Sequence, residues 1–114
     1  MKMIEINQDE VIEITSLEPF EDSKEELLSS LYELLPSIHK EPLCLNYEIF
    51  IQKDGSLTTI GKWESARGYN FHQNMQYMEK FRLKILPVFC KSYEKSESRA
   101  IIAPLTALSL LNEK

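Results

Sequence analysis

The sequence predicts an α+β fold in which two helices cover one face of a four-stranded antiparallel sheet. An Asp54-Gly55 reversal lies between two runs of β-prone residues, a pattern typical of a tight β-hairpin. Apolar residues recur at helical spacing both before and after this hairpin. A strand-like segment stands near each end of the chain, so the order is strand, helix, strand, strand, helix, strand.

Length and composition fit a single domain, residues 1–114, whose core covers residues 11–106 between a short lead-in and a tail. The chain is 43% hydrophobic, which is enough for one core. Its 13 basic and 18 acidic residues give a net charge of -5, which disfavours nucleic acid and anionic membranes as partners. The N-terminus lacks the apolar core of a signal peptide, and no apolar run approaches the roughly 20 residues of a membrane span, so we expect a cytoplasmic protein.

The first part of the chain predicts a strand and then a helix. Residues 11–17 alternate apolar and polar side chains, and Pro19 is expected to end this strand. Ser23 and Glu26 have the spacing of a capping box at the start of the helix. Pro36 is expected to kink or restart its last turn. The apolar stripe of this helix comprises Leu27, Leu28, Leu31, Leu34, Leu35 and Ile38.

The strands of the hairpin are expected near residues 43–52 and 56–63. Side chains alternate between the two faces of a strand. Those expected to face the core are Leu45, Tyr47, Ile49 and Ile51. Those on the opposite face are Cys44, Asn46, Glu48 and Phe50. The second set is mixed in polarity, which indicates a face that lines a cavity or meets a partner subunit.

The helix that follows the hairpin is expected to begin at Ser65, which can act as its N-cap. Gly68, Tyr69 and His72 then share its inward face, because they lie three and four residues apart. A glycine weakens a helix by about 1 kcal/mol relative to alanine. The presence of Gly68 therefore indicates that something packs closely against this helix.

The last part of the chain predicts a second amphipathic helical stretch over residues 75–89, interrupted by Pro87. The polar residues 91–99 are interpreted as a loop or a frayed helix end. Residues 100–105 are expected to form the closing strand, with Pro104 favouring an edge position. This order is that of a ferredoxin-like βαββαβ fold. Its second sheet face also needs a cover, and a second copy of the chain is the simplest one, so we expect a homodimer.

His72 is the candidate catalytic residue, because imidazole titrates near neutral pH and can accept a proton from a phenol. A hydrogen-bonded role in the core is the alternative for a histidine on an inward helix face. Trp63 fits either the wall of a ligand pocket or the core. Cys44 and Cys90 lack metal-ligand spacing, and we interpret both as small buried hydrophobic residues.

Four other side chains are candidates for substrate binding. Tyr47, Tyr69 and Tyr77 can donate a hydrogen bond to a substrate oxygen, or they can pack in the core. Asn46 lies on the mixed face, where a polar contact between subunits is the alternative role. No sequence motif for a metal, a phosphate loop or a nucleophilic serine is present, so we expect no cofactor.

A combination of motifs resembles the antibiotic biosynthesis monooxygenase domain family over residues 11–106. These motifs are Glu41-Pro42, Tyr47-Glu48, Trp63-Glu64-Ser65 and, nine positions after the tryptophan, His72. The chain departs from the family pattern at Leu43, where glycine is usual, at Gly61, where an acidic residue is common, and at Tyr77, where a second histidine is common. The resemblance implies a dimeric α/β barrel with a pocket between the sheet and the helices of each subunit.

The resemblance also implies an oxidoreductase: a monooxygenase of quinols, naphthols or anthrone-type polyketides that uses neither metal nor flavin. A deprotonated, electron-rich phenol can itself pass an electron to dioxygen, so the protein supplies an apolar pocket, a proton acceptor and donors for the oxyanion. The alternative is a non-catalytic dimer that binds a small ligand or has a structural role. The related heme-degrading branch is disfavoured, because its asparagine, tryptophan and iron-ligating histidine correspond here to Glu13, His72 and Arg82.

Overall fold

The structure, a computed structural model, describes the backbone of residues 5–102 and the side chains of residues 9–98. Four strands form one antiparallel sheet in the order β2-β3-β1-β4, which confirms the ferredoxin-like α+β fold. No helix in this part of the chain is long and apolar enough to cross a membrane. The elements are β1 (Glu5–Pro19), α1 (Lys24–His39), β2 (Cys44–Ile51), β3 (Leu57–Trp63), α2 (Ala66–Gln73), α3 (Gln76–Lys80) and, after a π-helical turn (Phe81–Ile85), α4 (Leu86–Phe89) and β4 (Cys90–Ile102).

The hairpin has the turn that the sequence predicts. Gly55 adopts a φ of 89°, a left-handed conformation that glycine reaches without steric cost. The Asp54 carboxylate accepts hydrogen bonds from the backbone N–H and the hydroxyl of Ser56, at 2.9 and 2.6 Å. The turn thereby sets the register that brings Ile51 opposite Leu57 and Tyr47 opposite Gly61.

The start and end of α1 differ from the predictions. A 3-10 turn (Glu21–Ser23) leads into the helix, and the Ser23 side chain makes no capping hydrogen bond, so the predicted capping box is wrong. The helix also continues through Pro36 to His39. A proline there removes one backbone donor in the last turn, and the complete burial of Ile38 beyond it offsets this loss.

Close packing against Gly68 is confirmed, and the contacting residue is Leu43. The Ser65 hydroxyl caps α2 by accepting a hydrogen bond from the Gly68 N–H at 3.2 Å. A Cβ at Gly68 would lie 2.5 Å from the Leu43 Cβ, well inside normal contact distance. The leucine that departs from the family pattern therefore requires glycine on the facing helix.

Gly68→Ala is expected to destabilise the protein. Overpacking a core costs about 1–3 kcal/mol, more than the roughly 1 kcal/mol that alanine gains in a helix. Urea unfolding of Gly68→Ala should therefore give a lower free energy of unfolding than the parent chain. In a Leu43→Gly background, where the clashing Cβ is absent, the same substitution should be neutral or stabilising. Equal destabilisation in both backgrounds would contradict the Leu43 contact.

The segment after the last helix corrects the sequence analysis. Residues 91–99, interpreted as a loop or frayed helix end, belong to β4, which pairs with β1 from Cys90 to Ile102. Side chains 91–98 are all exposed, so this edge strand lacks the apolar alternation by which a strand is identified. At the start of the chain, residues 5–10 extend β1 beyond the predicted strand. Residues 103–105 of the predicted closing strand, with Pro104, lie outside the described residues.

The two faces of the sheet differ in burial. Residues on the helix-covered face, such as Val11, Leu17 and Trp63, are at most 2% exposed. The opposite face is mixed, as the sequence predicted for β2. Among its apolar side chains, Ile12 and Ile60 are partly buried, and Ile14 and Phe50 are exposed.

Candidate functional site

An interior cavity of about 110 Å³ lies between the sheet and the helices. Its walls come from all four strands and from the helical segments that cover them. The apolar wall residues are Leu17, Leu31, Met78, Phe81 and Leu86. The polar wall residues are Glu13, Thr15, Tyr47, Thr59, Gln73, Arg82, Tyr93 and Lys95. An apolar space with a few converging polar groups is the usual character of a small-molecule site.

A larger groove of about 610 Å³ is open on the surface between α1 and β2. Apolar residues line most of it, together with the exposed Tyr32 and Glu33. It holds none of the buried polar side chains that chemistry needs. The interior cavity is therefore the candidate site.

Glu13 is the buried carboxylate of this cavity. It occupies a core-facing position of β1, where Val11 and Leu17 are the apolar residues on the same face, and it is only 6% exposed. The Tyr69 hydroxyl donates a hydrogen bond to its Oε2, and Gln73 Nε2 donates to the same oxygen at 3.2 Å. Lys95 Nζ lies 3.8 Å from Oε2. We call these residues, with Arg82, the Glu13 cluster.

The other oxygen of Glu13 is less occupied. Its Oε1 accepts only a long contact, from the Thr15 hydroxyl at 3.5 Å, among the hydrogen bonds of the described residues. Glu13 and Thr15 both line the cavity. Oε1 is therefore the oxygen that can accept a proton or a hydrogen bond from a ligand.

Arg82 fixes the orientation of Gln73. Its guanidinium donates to Gln73 Oε1 at 3.0 Å and to the Gln73 backbone carbonyl at 2.6 Å. The amide oxygen is thus committed to Arg82, so the amide nitrogen faces the Tyr69 hydroxyl, at 2.5 Å, and Glu13. Arg82 therefore donates to Gln73, and Gln73 donates to Glu13, so these three side chains form one hydrogen-bonded chain along the cavity wall.

A second group of polar side chains surrounds Glu41, which is also buried. His72 Nδ1 is 2.9 Å from Glu41 Oε2, and Trp63 Nε1 donates to Oε1 at 3.1 Å. The Tyr77 hydroxyl also donates to Oε2. His72 and Trp63 are 0% exposed, and their rings lie 4.5 Å apart between centroids. We call these four residues the Glu41 cluster.

His72 Nε2 is buried and has no hydrogen-bond partner within the described part of the chain. With Nδ1 held by a carboxylate, His72 has the arrangement of an oriented base. His72 is not among the residues that line the cavity. Its ring centroid is 6.1 Å from that of Tyr47, which does line it.

The predicted site residues lie in three separate regions: at the cavity, in the Glu41 cluster and on the exposed surface of β2. Tyr47 lines the cavity, and Tyr69 contacts the cavity carboxylate. His72, Trp63 and Tyr77 belong to the Glu41 cluster. Asn46 is exposed and donates to Glu48 at 2.9 Å, away from both.

The sequence analysis missed Gln73 and Lys95 as site residues, and it considered Glu13 and Arg82 only as positions that disfavour heme. A charged residue at a core-facing position of a strand was the available signal for Glu13, because such a residue is rarely buried without a purpose. No comparable signal marked Gln73 or Lys95, since their positions depend on how α2 and β4 meet β1.

The three tyrosines of the two clusters and the cavity are neutral donors at neutral pH. Burial raises the pKa of Tyr47 to about 12. Burial also raises the pKa of Tyr69 and Tyr77, and the hydrogen bonds to Glu13 and Glu41 raise them further. Each phenol can therefore donate an O–H bond to an acceptor, and none serves as a base near pH 7.

Comparison with known proteins gives one family. The model of the family described as "Antibiotic biosynthesis monooxygenase" matches residues 10–83. This match spans α1, the hairpin and the strand that carries Glu13, and it includes Glu41 and His72. No curated protein matches the chain in sequence.

Solved structures share the fold at low sequence identity. Protein SO0527 from Shewanella oneidensis superposes with a TM-score of 0.85 at 22% identity, over 88% of this chain and 99% of its own. A candidate antibiotic biosynthesis monooxygenase from Caulobacter crescentus superposes with a TM-score of 0.74 at 17% identity, over 82% of this chain and 91% of its own. A conserved protein of unknown function from Bacteroides thetaiotaomicron gives a TM-score of 0.74 at 14% identity, over 82% and 100% of the two chains.

Proposed function

This chain belongs to the antibiotic biosynthesis monooxygenase family, and on that premise we propose that it is a cofactor-independent monooxygenase of small aromatic quinols. The observation that carries the proposal is the cavity between sheet and helices, which is largely apolar and has the Glu13 carboxylate on its wall. The class of reaction is inferred from the family, and the cavity is the proposed binding site for the quinol.

The proposed reaction begins with transfer of a phenolic proton from the quinol to Glu13 Oε1. The resulting phenolate passes one electron to dioxygen, and the ring radical and superoxide combine to form a C–O bond. Glu13 then returns its proton to the peroxide oxygen, and loss of water leaves a hydroxyquinone, so that one quinol and one dioxygen give one hydroxyquinone and one water. Arg82 and Lys95 supply positive charge that stabilises the anionic ring and superoxide.

His72, predicted from the sequence as the catalytic residue, stays a competing candidate for the proton acceptor. The Glu41 carboxylate supports this role by orienting Nδ1 at 2.9 Å and by leaving Nε2 for the proton. Contact with a substrate would require Nε2 to become accessible from the cavity, past Tyr47. Glu13 already lies on the cavity wall, so we favour Glu13 as the proton acceptor, with His72 holding Glu41 and Trp63 in place.

Oxygen consumption with methylhydroquinone tests the proposal. The parent chain should consume dioxygen faster than buffer, with a hydroxyquinone as the product. Ligand-induced thermal stabilisation without turnover would instead support the alternative of a non-catalytic binding protein. A Soret band on titration with heme would favour the heme-degrading branch, although a four-pyrrole macrocycle is much larger than the cavity.

We further propose that two copies of the chain associate through the mixed face of the sheet. Ile12, Ile14 and Ile60 lie together there, because Ile14 pairs with Ile60 across β1 and β3. The polar side chains around these residues form the rim that subunit interfaces commonly have.

Ile14→Glu is expected to convert this dimer to a monomer, because it places a charge in the centre of the proposed interface. Sedimentation velocity should show one species of half the parent mass. Tyr32→Glu is the matched control, since Tyr32 is an exposed apolar side chain on α1, and it should leave the dimer intact. A parent chain that sediments as a monomer would contradict the association.

A further inference from the structure

We infer that Gln73 is a positioning residue for the proposed proton transfer, because it holds one oxygen of the Glu13 carboxylate and Arg82 sets the direction of its amide. This inference rests on the proposed function, since it takes Glu13 as the proton acceptor. Gln73 acts on the reaction through Glu13 and takes up no proton itself. Three observations carry it: the direction of the hydrogen bonds, the charges around Glu13, and the location of Gln73 and Arg82 in the fold.

The hydrogen bonds run in one direction, from Arg82 to Glu13. A guanidinium has donors and no acceptor, so its two contacts with Gln73 both use oxygen atoms of Gln73. The amide oxygen is one of them, and the amide nitrogen is therefore the atom that faces Glu13 Oε2, at 3.2 Å. The opposite orientation would place the amide oxygen against the carboxylate and the amide N–H groups against the guanidinium. Arg82 thus selects the orientation of Gln73 that gives Glu13 a donor.

Tyr69 supports the same carboxylate oxygen. Gln73 Nε2 donates to the Tyr69 hydroxyl at 2.5 Å, and this hydroxyl donates to Glu13 Oε2. Tyr69 and Gln73 lie four residues apart on one face of α2, so the helix presents both donors together. Both hydrogen bonds end on Oε2, while Oε1 has only the long contact with Thr15 at 3.5 Å. Oε1 is thereby left to accept the phenolic proton.

The charges on the neighbouring strand do not fix Glu13 by themselves. Lys95 Nζ lies 3.8 Å from Glu13 Oε2, but the Lys95 side chain is 39% exposed. Glu97, which pairs with Glu13 across β1 and β4, is also exposed and carries the opposite charge. These two charges on β4 offset each other, and solvent screens both. The hydrogen bonds from α2 are therefore the main constraint on the orientation of the carboxylate.

Gln73 and Arg82 belong to two different helical segments beside the cavity. Gln73 is the last residue of α2, and Arg82 lies nine positions later in the π-helical turn. Turns of this type are rare and occur frequently at functional sites. Both side chains line the cavity. Their hydrogen bonds therefore join the end of α2 to the π-helical turn at the point where Gln73 meets Glu13.

Gln73→Met tests the inference, because it removes the amide and keeps an unbranched side chain of similar size. In oxygen consumption with methylhydroquinone, kcat should fall about 10- to 100-fold, the range expected for the loss of a hydrogen bond to a charged group. KM should change by less than about threefold, since the amide acts on the proton transfer and not on substrate binding. Gln76→Met makes the same change at an exposed position on α3 and should keep the kcat of the parent chain. Circular dichroism checks that each variant is folded.

Arg82→Met provides the second arm of the test. Without the guanidinium, the Gln73 amide has no fixed direction, so adding Gln73→Met to Arg82→Met should lower kcat by no more than about threefold further. The side-chain amide of Gln73 also gives a readout that needs no substrate. In NMR of the parent chain, its N–H protons should exchange with solvent more slowly than those of the exposed Gln76, and Arg82→Met should remove this difference.

The outcomes separate this inference from the proposed function. An unchanged kcat in folded Gln73→Met, a raised KM with the parent kcat, or an equal loss of kcat in both Arg82 backgrounds would overturn the inference, and the monooxygenase would stand. A Gln73 amide that exchanges as fast as that of Gln76 would also overturn it. A slowly exchanging Gln73 amide that depends on Arg82, in a chain that consumes no oxygen, would support the positioning of Gln73 and contradict the monooxygenase.

Discussion

Glu13→Gln is expected to lower the rate of oxygen consumption with a quinol by about 100- to 10,000-fold, the usual effect of removing a general base. The substitution keeps the size of the side chain and its ability to accept hydrogen bonds from Tyr69 and Gln73. It removes the ability to take up a phenolic proton. Initial rates measured with an oxygen electrode at saturating methylhydroquinone should show the loss in kcat.

The control for this experiment is Glu25→Gln, which makes the same chemical change at an exposed position on α1. Its kcat should match that of the parent chain. His72→Gln completes the comparison, because it tests the other candidate proton acceptor. A folded Glu13→Gln protein with full activity, together with an inactive but folded His72→Gln protein, would assign the proton transfer to His72.

Glu41→Ala is expected to reduce the free energy of unfolding by about 2–6 kcal/mol, because two buried donors lose their acceptor at a cost of about 1–3 kcal/mol each. The carboxylate accepts hydrogen bonds from Trp63, His72 and Tyr77, and it is 5% exposed. Its removal leaves the Trp63 and His72 donors in the interior without an acceptor, and each lost partner carries a desolvation cost. The partly buried Tyr77 hydroxyl, by contrast, keeps a hydrogen bond to the Ser37 carbonyl. Urea unfolding monitored by the fluorescence of Trp63 measures the change.

Glu25→Ala is the matched control for stability, since Glu25 is exposed on α1 and its removal should change the unfolding free energy by no more than about 0.5 kcal/mol. Glu41→Gln should fall between the parent chain and Glu41→Ala, because an amide oxygen still accepts hydrogen bonds from some of the donors. Glu41→Ala with the stability of the parent chain would mean that the Glu41 cluster contributes nothing to folding.

Local sequence determined most of the fold. The Asp54-Gly55 turn, the apolar stripe of α1 and the Ser65 cap act over a few residues, so their physical causes can be read directly from neighbours in the chain. Together with the strands predicted at residues 11–17 and 100–105, these elements were sufficient to predict the ferredoxin-like topology. The combination of Glu41-Pro42, Tyr47-Glu48, Trp63-Glu64-Ser65 and His72 was sufficient to predict the family.

Tertiary structure alone decided the polar part of β4 and the chemistry of the interior. Residues 91–99 form a strand because β1 provides their hydrogen-bond partners, and their polar side chains carry no pattern of their own. The Glu13 cluster joins residues that are up to 82 positions apart, from Glu13 to Lys95, and the Glu41 cluster joins a loop to β3, α2 and α3. Hydrogen bonds between such distant residues depend on how the strands and helices pack against one another. The spacing of residues along the chain does not determine that packing.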